Sequence, residues 1–291
     1  MPPGVSWRAR ELGEWADGHL RDLPWRRTRD PWAVLVSELM AQQTGINRVV
    51  PAYHAFLSRF PDPAACAAAS VADVLRSWAG LGYNRRAVNL HRAADAVVER
   101  HRGRVPDSLE ALLALPGVGP YTARAVLAFA FERPVGVVDT NVGRVLARWT
   151  GRSLTPAEAQ GLADLAVPEH DAWRWNQAVM ELGATVCRRR EPDCAGCPVS
   201  WWCRWHADGR PPPDPADGSA RVGTGQSRFE GSDRQGRGRL VAALRCGPVS
   251  ERDVPSVMGW ADDPERARRV AQGVVADGLA TLDGDLLVLG T

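Results

Sequence analysis

Not one lysine occurs in the 291 residues, so all 36 side chains of the Lys+Arg class are arginine. That absence excludes any reaction that passes through a Schiff base on a lysine amine. Long apolar runs are missing as well: no segment approaches the ~18 to 20 consecutive apolar residues of a membrane span, and no opening stretch joins a basic start to an apolar core. Neither secretion nor membrane insertion is expected, and the cytosol is the expected compartment. Sustained period-two alternation is absent before about residue 206, which argues against a sheet-built body. Excess charge is small too, since 34 acidic residues leave a net charge of +2.

A hydrophobic share of 45% is enough to bury a substantial core. The arginine excess is what a GC-rich gene would produce, although guanidinium also suits bidentate contacts to phosphates and guanine edges. Residues 1 to 206 read as helix after helix, an all-α body with apolar residues three and four apart. Asp30-Pro31 opens one helix as N-cap and first-turn proline. Its continuation from Ala33 to Gln43 puts Val34, Leu35, Glu38, Leu39 and Gln42 on one broad face, so a carboxylate and an amide sit close to an apolar stripe. Further helices are expected near 47–60, 70–78, 84–101, 108–114, 120–131, 140–149, 156–165 and 171–186. Residues 207–227, with Pro211-Pro212-Pro213 and several Gly, Asp and Ser, read as a disordered linker. From 228 to 291 a basic segment (Arg234 to Arg245), a helix at 262–277 and a hairpin (Leu279 to Val288, turning at Asp283-Gly284) read as a small winged-helix-like module.

Cys187, Cys194, Cys197 and Cys203 stand in the pattern C-x6-C-x2-C-x5-C. Disulfides are rare in the cytosol, so four thiols within 17 residues point to a metal. Structural zinc usually takes two short cysteine pairs and this set has one, so a four-thiolate [4Fe-4S] cluster fits better than zinc. Such a cluster would staple the loop that carries Arg188, Arg189, Arg190 and Arg204, or serve as a redox sensor. Cys66 and Cys246 lie outside the pattern and read as buried apolar residues.

Leu115-Pro116-Gly117-Val118-Gly119-Pro120-Tyr121-Thr122 separates two helical stretches, the first opened by Asp107 with Glu110 as a capping box. Gly117 and Gly119 permit a tight turn and a close backbone approach, and the free amides of the next helix suit a phosphate oxygen. Asp139 follows the apolar run Val135 to Val138 and precedes a helix, the place of an N-cap.

Residues about 20 to 206 resemble the catalytic region of the adenine-specific mismatch DNA glycosylases, a family of the helix-hairpin-helix superfamily that carries an iron-sulfur cluster. The resemblance rests on Leu23-Pro24-Trp25-Arg26, Ser37-Glu38-Leu39-Met40-Ala41-Gln42-Gln43-Thr44, Gly80-Leu81-Gly82-Tyr83, Asn89-Leu90-His91, the hairpin, Val138-Asp139-Thr140-Asn141-Val142 and Asn176-Gln177-Ala178. It implies two helical subdomains with the cluster loop, and a monomer acting on double-stranded DNA that contains adenine mispairs. The adenine must be flipped from the stack and its bond to deoxyribose hydrolysed. By resemblance Glu38 is the general acid, kept protonated by its apolar helix face, and Asp139 is the ionised, rigid carboxylate that stabilises an oxocarbenium-like sugar. Asn141, Gln177, Arg26 and Tyr121 match positions around the flipped base and its sugar. Tyr121 stands where lyase relatives place a catalytic lysine, so no lysine-dependent lyase step is expected. Tyr83 and Gln43 would wedge into the stack, with Gln42 near the opposite base.

Ala41 replaces a common leucine beside the wedge, and Asn84-Arg85-Arg86 replaces a more aromatic continuation after Tyr83. The tail is shorter than the hydrolase-like domain with which many members read 8-oxoguanine. Two alternatives remain at this level: a thymine glycosylase of the same fold acting on guanine:thymine pairs, and a non-catalytic DNA-damage or redox sensor. Retention of both Glu38 and Asp139 weighs against the sensor.

Overall fold

The computed structural model describes residues 5–219 and 228–290, with side chains from residue 10 onward. Helices dominate, as the periodicity indicates. They are α1 (Val5–Asp17), α2 (Pro31–Ala41), α3 (Ile46–Arg59), α4 (Pro63–Ala67), α5 (Val71–Ser77), α6 (Arg85–His101), α7 (Leu109–Leu113), α8 (Pro120–Phe129), α9 (Thr140–Thr150), α10 (Pro156–Ala166), α11 (Ala172–Thr185) and α12 (Arg204–Ala207). After the last of these come α13 (Asp233–Cys246), β1 (Val249–Ser250), α14 (Val254–Met258), α15 (Pro264–Ala276), β2 (Ala280–Asp283) and β3 (Leu286–Leu289). The strands form an antiparallel sheet in the order β1-β3-β2. Among the described residues no helix is long and apolar enough to cross a membrane.

Two compact units make up the chain, and neither is a consecutive stretch. Unit 1 joins Met1–Pro31 to Gly119–Gly225, and unit 2 joins Trp32–Val118 to Gln226–Thr291. The C-terminal stretch, expected as a module of its own, therefore shares unit 2 with α2 to α7. Polar anchors explain this. Arg245 near the end of α13 donates to the Leu75 carbonyl at 3.0 Å and to Asn84 Oδ1 at 2.8 Å. Asp277, just past α15, pairs with Arg85 at 3.4 Å and with Arg237.

Unit 2 is packed around Trp32, Phe56, Leu75, Trp78 and Leu90, all buried. The Trp32 indole donates to the Phe60 carbonyl at 3.0 Å, and Phe56 meets Trp78 edge-on at 6.0 Å between centroids. In unit 1 the core gathers Leu12, Val145, Leu146, Trp175 and Leu182 from α1, α9 and α11. Local chemistry sets the helix ends. Thr155 and Glu158 form a full capping box on α10, and α9 stops at Gly151 with φ +69°.

Four local expectations need correction. Residues 207–219 are not a loose linker: buried Arg148 requires a counter-charge, and Asp214 supplies it at 2.6 Å, while Ser219 accepts the Leu154 amide at 3.0 Å. Residues 220–227 lie outside the described residues. Ser108, not Asp107, caps α7 by accepting from the Ala111 amide, because the helix starts one residue later than the capping box implied. The β2–β3 register pairs Asp283 with Leu286, so the turn is Gly284-Asp285 and the positive φ of +61° falls on Gly284. Cys66 is buried as expected, with burial pushing its thiol up to about 12, but Cys246 is exposed as the last residue of α13.

Candidate active site

In unit 2, every residue of α2 from Trp32 to Met40 is buried. A helix apolar on all sides belongs in a core, and it carries Glu38 in with it. Glu38 is only 8% exposed, on the same buried helix as Leu35, Leu39 and Met40.

The chain then leaves α2 through Gln42 and Gln43, the latter at φ +55°, while Tyr83 sits at φ +45° after Gly82 at φ +70°. These left-handed residues lie on two loops distant in sequence, and Arg86 braces both. Its guanidinium, buried at the head of α6, donates to the carbonyls of Leu39 (2.7 Å), Met40 (2.8 Å), Gln42 (2.6 Å) and Gly82 (3.0 Å) and to the Thr44 hydroxyl (2.9 Å). Burial pulls its pKa down to about 10, which leaves it charged at neutral pH. One side chain thus satisfies the orphan carbonyls at the end of α2 and fixes both loops that present Gln42, Gln43 and Tyr83. Those three residues line a single cleft of unit 2. Sequence reasoning treated Arg86 as a departure only. Arg86→Met should cost about 3 kcal/mol, because several buried acceptors lose a charged donor together. The melting temperature should then drop by roughly 6 to 12 °C for a unit of this size; a drop below about 2 °C by calorimetry would show that water or other donors replace the guanidinium.

The hairpin between α7 and α8 spans the end of unit 2 and the start of unit 1. Gly117 has φ +77°, and a Cβ there would come within 2.6 Å of Asn89 Cβ on α6. Gly119 caps α8 with no side chain over its amides, and a Cβ there would meet nothing within 4 Å. Tyr121 is the second residue of α8 and half-buried.

In unit 1, Asp139 caps α9. Its carboxylate accepts the Val142 amide at 2.7 Å and the Asn141 side-chain amide at 3.0 Å. Asn141 is itself held, since Arg144 donates to its Oδ1 at 2.8 Å and also to the carbonyls of Gly183 (2.6 Å) and Cys187 (2.7 Å). Only glycine fits at 183, where a Cβ would lie 2.7 Å from Asn141 Cβ. Asn176 of α11 accepts the Val137 amide at 2.9 Å and donates to the Val135 carbonyl at 3.0 Å, locking the extended run that delivers Asp139. The electrostatics differ from the expectation of a carboxylate held firmly ionised. Burial pushes the Asp139 carboxyl above the ordinary aspartate range, and the bonds from Val142 and Asn141 and the charge of Arg144 offset this only in part.

Arg26 and Gln177 are brought together directly, with Arg26 Nε donating to Gln177 Oε1 at 2.8 Å. The same guanidinium pairs at 2.7 Å with Glu181, one turn along α11, and Arg21 donates to Glu181 at 2.6 Å. Glu181 has no exposed side-chain surface. Burial opposes its charge, but the two arginines hold its pKa below the usual glutamate value. It was not singled out from the sequence, although it stands one turn beyond Gln177 on an otherwise buried face.

Cys187, Cys194, Cys197 and Cys203 all line one cavity. Burial, reinforced by the neighbouring cysteines, pushes the Cys197 and Cys203 thiols up to about 11, so four thiolates gather here stably only around a cation. His206 lines the same cavity, and its Nδ1 is buried without a hydrogen-bond partner, as suits a donor awaiting a sulfur acceptor. Among the described residues no three His, Cys, Asp or Glu side chains are drawn in closely enough to hold a single metal ion. Arg148 braces the loop, donating to Cys187 Sγ at 3.3 Å and to the carbonyls of Arg188 (2.8 Å) and Arg189 (3.2 Å). Arg188, Arg189 and Arg190 are exposed.

Residues Glu38 and Gln42, Gln43, Tyr83 thus fall in unit 2, and Asp139 with Asn141, Arg26 with Gln177, and the four cysteines fall in unit 1. Comparison with known proteins gives four matches. Residues 36–166 match the model of the HhH-GPD superfamily of base excision DNA repair proteins. The adenine DNA glycosylase of Mycolicibacterium smegmatis is 43% identical over 289 residues, covering 96% of this chain and 95% of that protein. Among solved structures, a thermostable thymine-DNA glycosylase aligns with TM-score 0.65 at 28% identity, covering 70% of this chain and 97% of that one. An endonuclease III captured in a non-covalent DNA complex aligns with TM-score 0.61 at 22% identity, covering 72% of this chain and 99% of that one.

Proposed function

The chain belongs to the adenine DNA glycosylases of the HhH-GPD superfamily, and from that premise we propose that it hydrolyses the N-glycosidic bond of adenine mispaired with guanine or 8-oxoguanine in duplex DNA. The observation that carries this reading is Asp139, a carboxylate aimed and immobilised by Val142 and Asn141 at the head of α9. A fixed anion is what a sugar acquiring positive charge requires. In this reading Glu38 donates the proton that turns adenine into a leaving group. Arg26 and Gln177, joined to each other and anchored by Glu181, hold the extruded nucleoside. Gly117 and Gly119 present backbone amides to a phosphate, and Tyr121 occupies the helix start where a lyase would need an amine. Absence of lysine supports hydrolysis that ends at the abasic site. Cys187, Cys194, Cys197 and Cys203 would hold a [4Fe-4S] cluster, which, when bound, fastens the arginine-bearing loop 188–190 for contact with phosphates.

Single-turnover assays on duplexes with adenine opposite 8-oxoguanine, guanine or cytosine, and with thymine opposite guanine, test the proposal. Free adenine released from the first two is the expected result. Thymine release instead would transfer the assignment to the activity named for the thermostable structural relative, and failure to form any alkali-labile site would reduce the protein to a DNA binder.

A pH effect follows from the Asp139 surroundings. The reaction needs the ionised carboxylate, so activity is lost as pH falls through its pKa, and the raised pKa places this loss above the ordinary aspartate range. Asn141→Ala removes a donor to the ionised form and raises that pKa further. The acid limb of the single-turnover profile should move up by roughly one pH unit; an unmoved limb, or one displaced to lower pH, would mean that Asp139 does not govern it.

A further inference from the structure

We infer that Phe229 and Arg234, carried into unit 2 by the C-terminal stretch, complete the wedge built on Tyr83: Arg234 positions the phenol and Phe229 adds a second stacking face for an unstacked nucleotide. The inference rests on the glycosylase reading above and adds a positioning residue and a DNA contact to it.

The loop that presents Tyr83 offers one ring only, since Asn84 and Arg85 follow it. Tyr83 is 40% exposed. Its hydroxyl receives a hydrogen bond from Arg234 Nη1 at 3.1 Å, and the same guanidinium lies 5.9 Å from the centroid of the Phe229 ring. One cation on α13 thus links two aromatic side chains far apart in sequence. Phe229 is 57% exposed, in a segment that is not helical. Both rings and Arg234 line a cleft of about 660 Å³ together with Gln42, Gln43 and Arg237, and none of the residues lining it is acidic. The volume lies within the range of sites that enclose a small ligand.

Aromatic faces beside guanidinium groups are the chemistry that receives a base and its phosphate once the duplex stack has been opened, although Asp277, outside the lining, already engages Arg85 and Arg237. An extruding enzyme must cover the bases it leaves unstacked, and the cost of extrusion is lowered by whatever stacks on them. The anchors of the C-terminal stretch hold α13 where Arg234 can reach the phenol: Arg245 on Leu75 and Asn84, and Asp277 on Arg85. This gives the stretch a part in base extrusion that needs no independent domain.

The test uses the full chain and an uncleavable duplex carrying 2′-fluoro-2′-deoxyadenosine opposite guanine, with the matched adenine:thymine duplex as reference. Phe229→Ala should weaken mispaired binding about tenfold relative to matched binding, and Phe229→Trp should restore it. Arg234→Ala should weaken it comparably, and combining it with Tyr83→Phe should add little, because both remove one interaction. Equal losses on matched and mispaired duplexes, or additive effects of Arg234→Ala and Tyr83→Phe, would overturn the inference. Wild-type excision of adenine with unaltered Phe229→Ala behaviour would overturn this inference alone; a wild-type chain that excises nothing would overturn the glycosylase reading and this inference with it.

Discussion

Asp139→Asn is expected to slow single-turnover adenine release by roughly three orders of magnitude while leaving mispaired DNA bound. Asparagine is as good an N-cap as aspartate, so its side-chain oxygen can keep the Val142 amide and α9 should start where it does now. What disappears is the negative charge, together with the oxygen that accepts from the Asn141 side-chain amide. Burial already disfavours that charge, and the cap does not require it, since a neutral cap would hold the helix equally well. Relief of that charge and loss of the Asn141 bond oppose each other, so thermal stability of the variant should stay close to that of the wild type. The two readouts together are decisive, since lost activity with lost stability would describe a broken cap, and retained activity would remove Asp139 from the chemistry.

Much of this arrangement was legible in the sequence, and the illegible part has a physical pattern. The apolar residues of α2 placed Glu38 close to an apolar stripe, but its full burial was not legible there, because the flanking Trp32, Val36 and Met40 bury the rest of the helix as well. Asp139 was readable because an aspartate between an extended apolar run and a helix has few other roles. The braces were not readable. Arg86, Arg148 and Glu181 are charged residues on helix faces that would ordinarily meet water, and their partners are main-chain carbonyls or side chains far along the chain. A trace of signal existed for Arg86, which shares a face with Leu90, Ala93 and Val97 of α6, all buried. Arg148 had no such help, because its counter-ion Asp214 lies in a proline-rich stretch that composition marks as linker. Composition reports how a segment behaves without partners, and a buried guanidinium is enough of a partner to order it.

The units also differ from the chain's apparent divisions for a polar reason. A linker followed by a helix and a hairpin has every mark of a separate module. Arg245, Arg237 and Asp277 override that appearance by tying α13 and α15 to one another and to the α5–α6 region of unit 2. In a chain without lysine these attachments are made by planar, multiply donating groups, each able to satisfy several acceptors at once.

Glu38→Gln should lower single-turnover release by about 10² to 10⁴, the range that general acid catalysis supplies. Glutamine matches glutamate in size, so the packing of Leu35, Leu39 and Met40 should survive, and mispaired DNA should bind as before. The pH profile carries the stronger test. A reaction that needs Glu38 protonated and Asp139 ionised falls off on both sides, at high pH as Glu38 loses its proton and at low pH as Asp139 gains one. In the glutamine variant the high-pH fall should vanish while the low-pH fall persists, because an amide has nothing to titrate in this range. In Asp139→Asn the pattern should reverse. A profile with both limbs intact in Glu38→Gln would mean that another group delivers the proton to adenine, and the buried glutamate of α2 would then be a structural residue only.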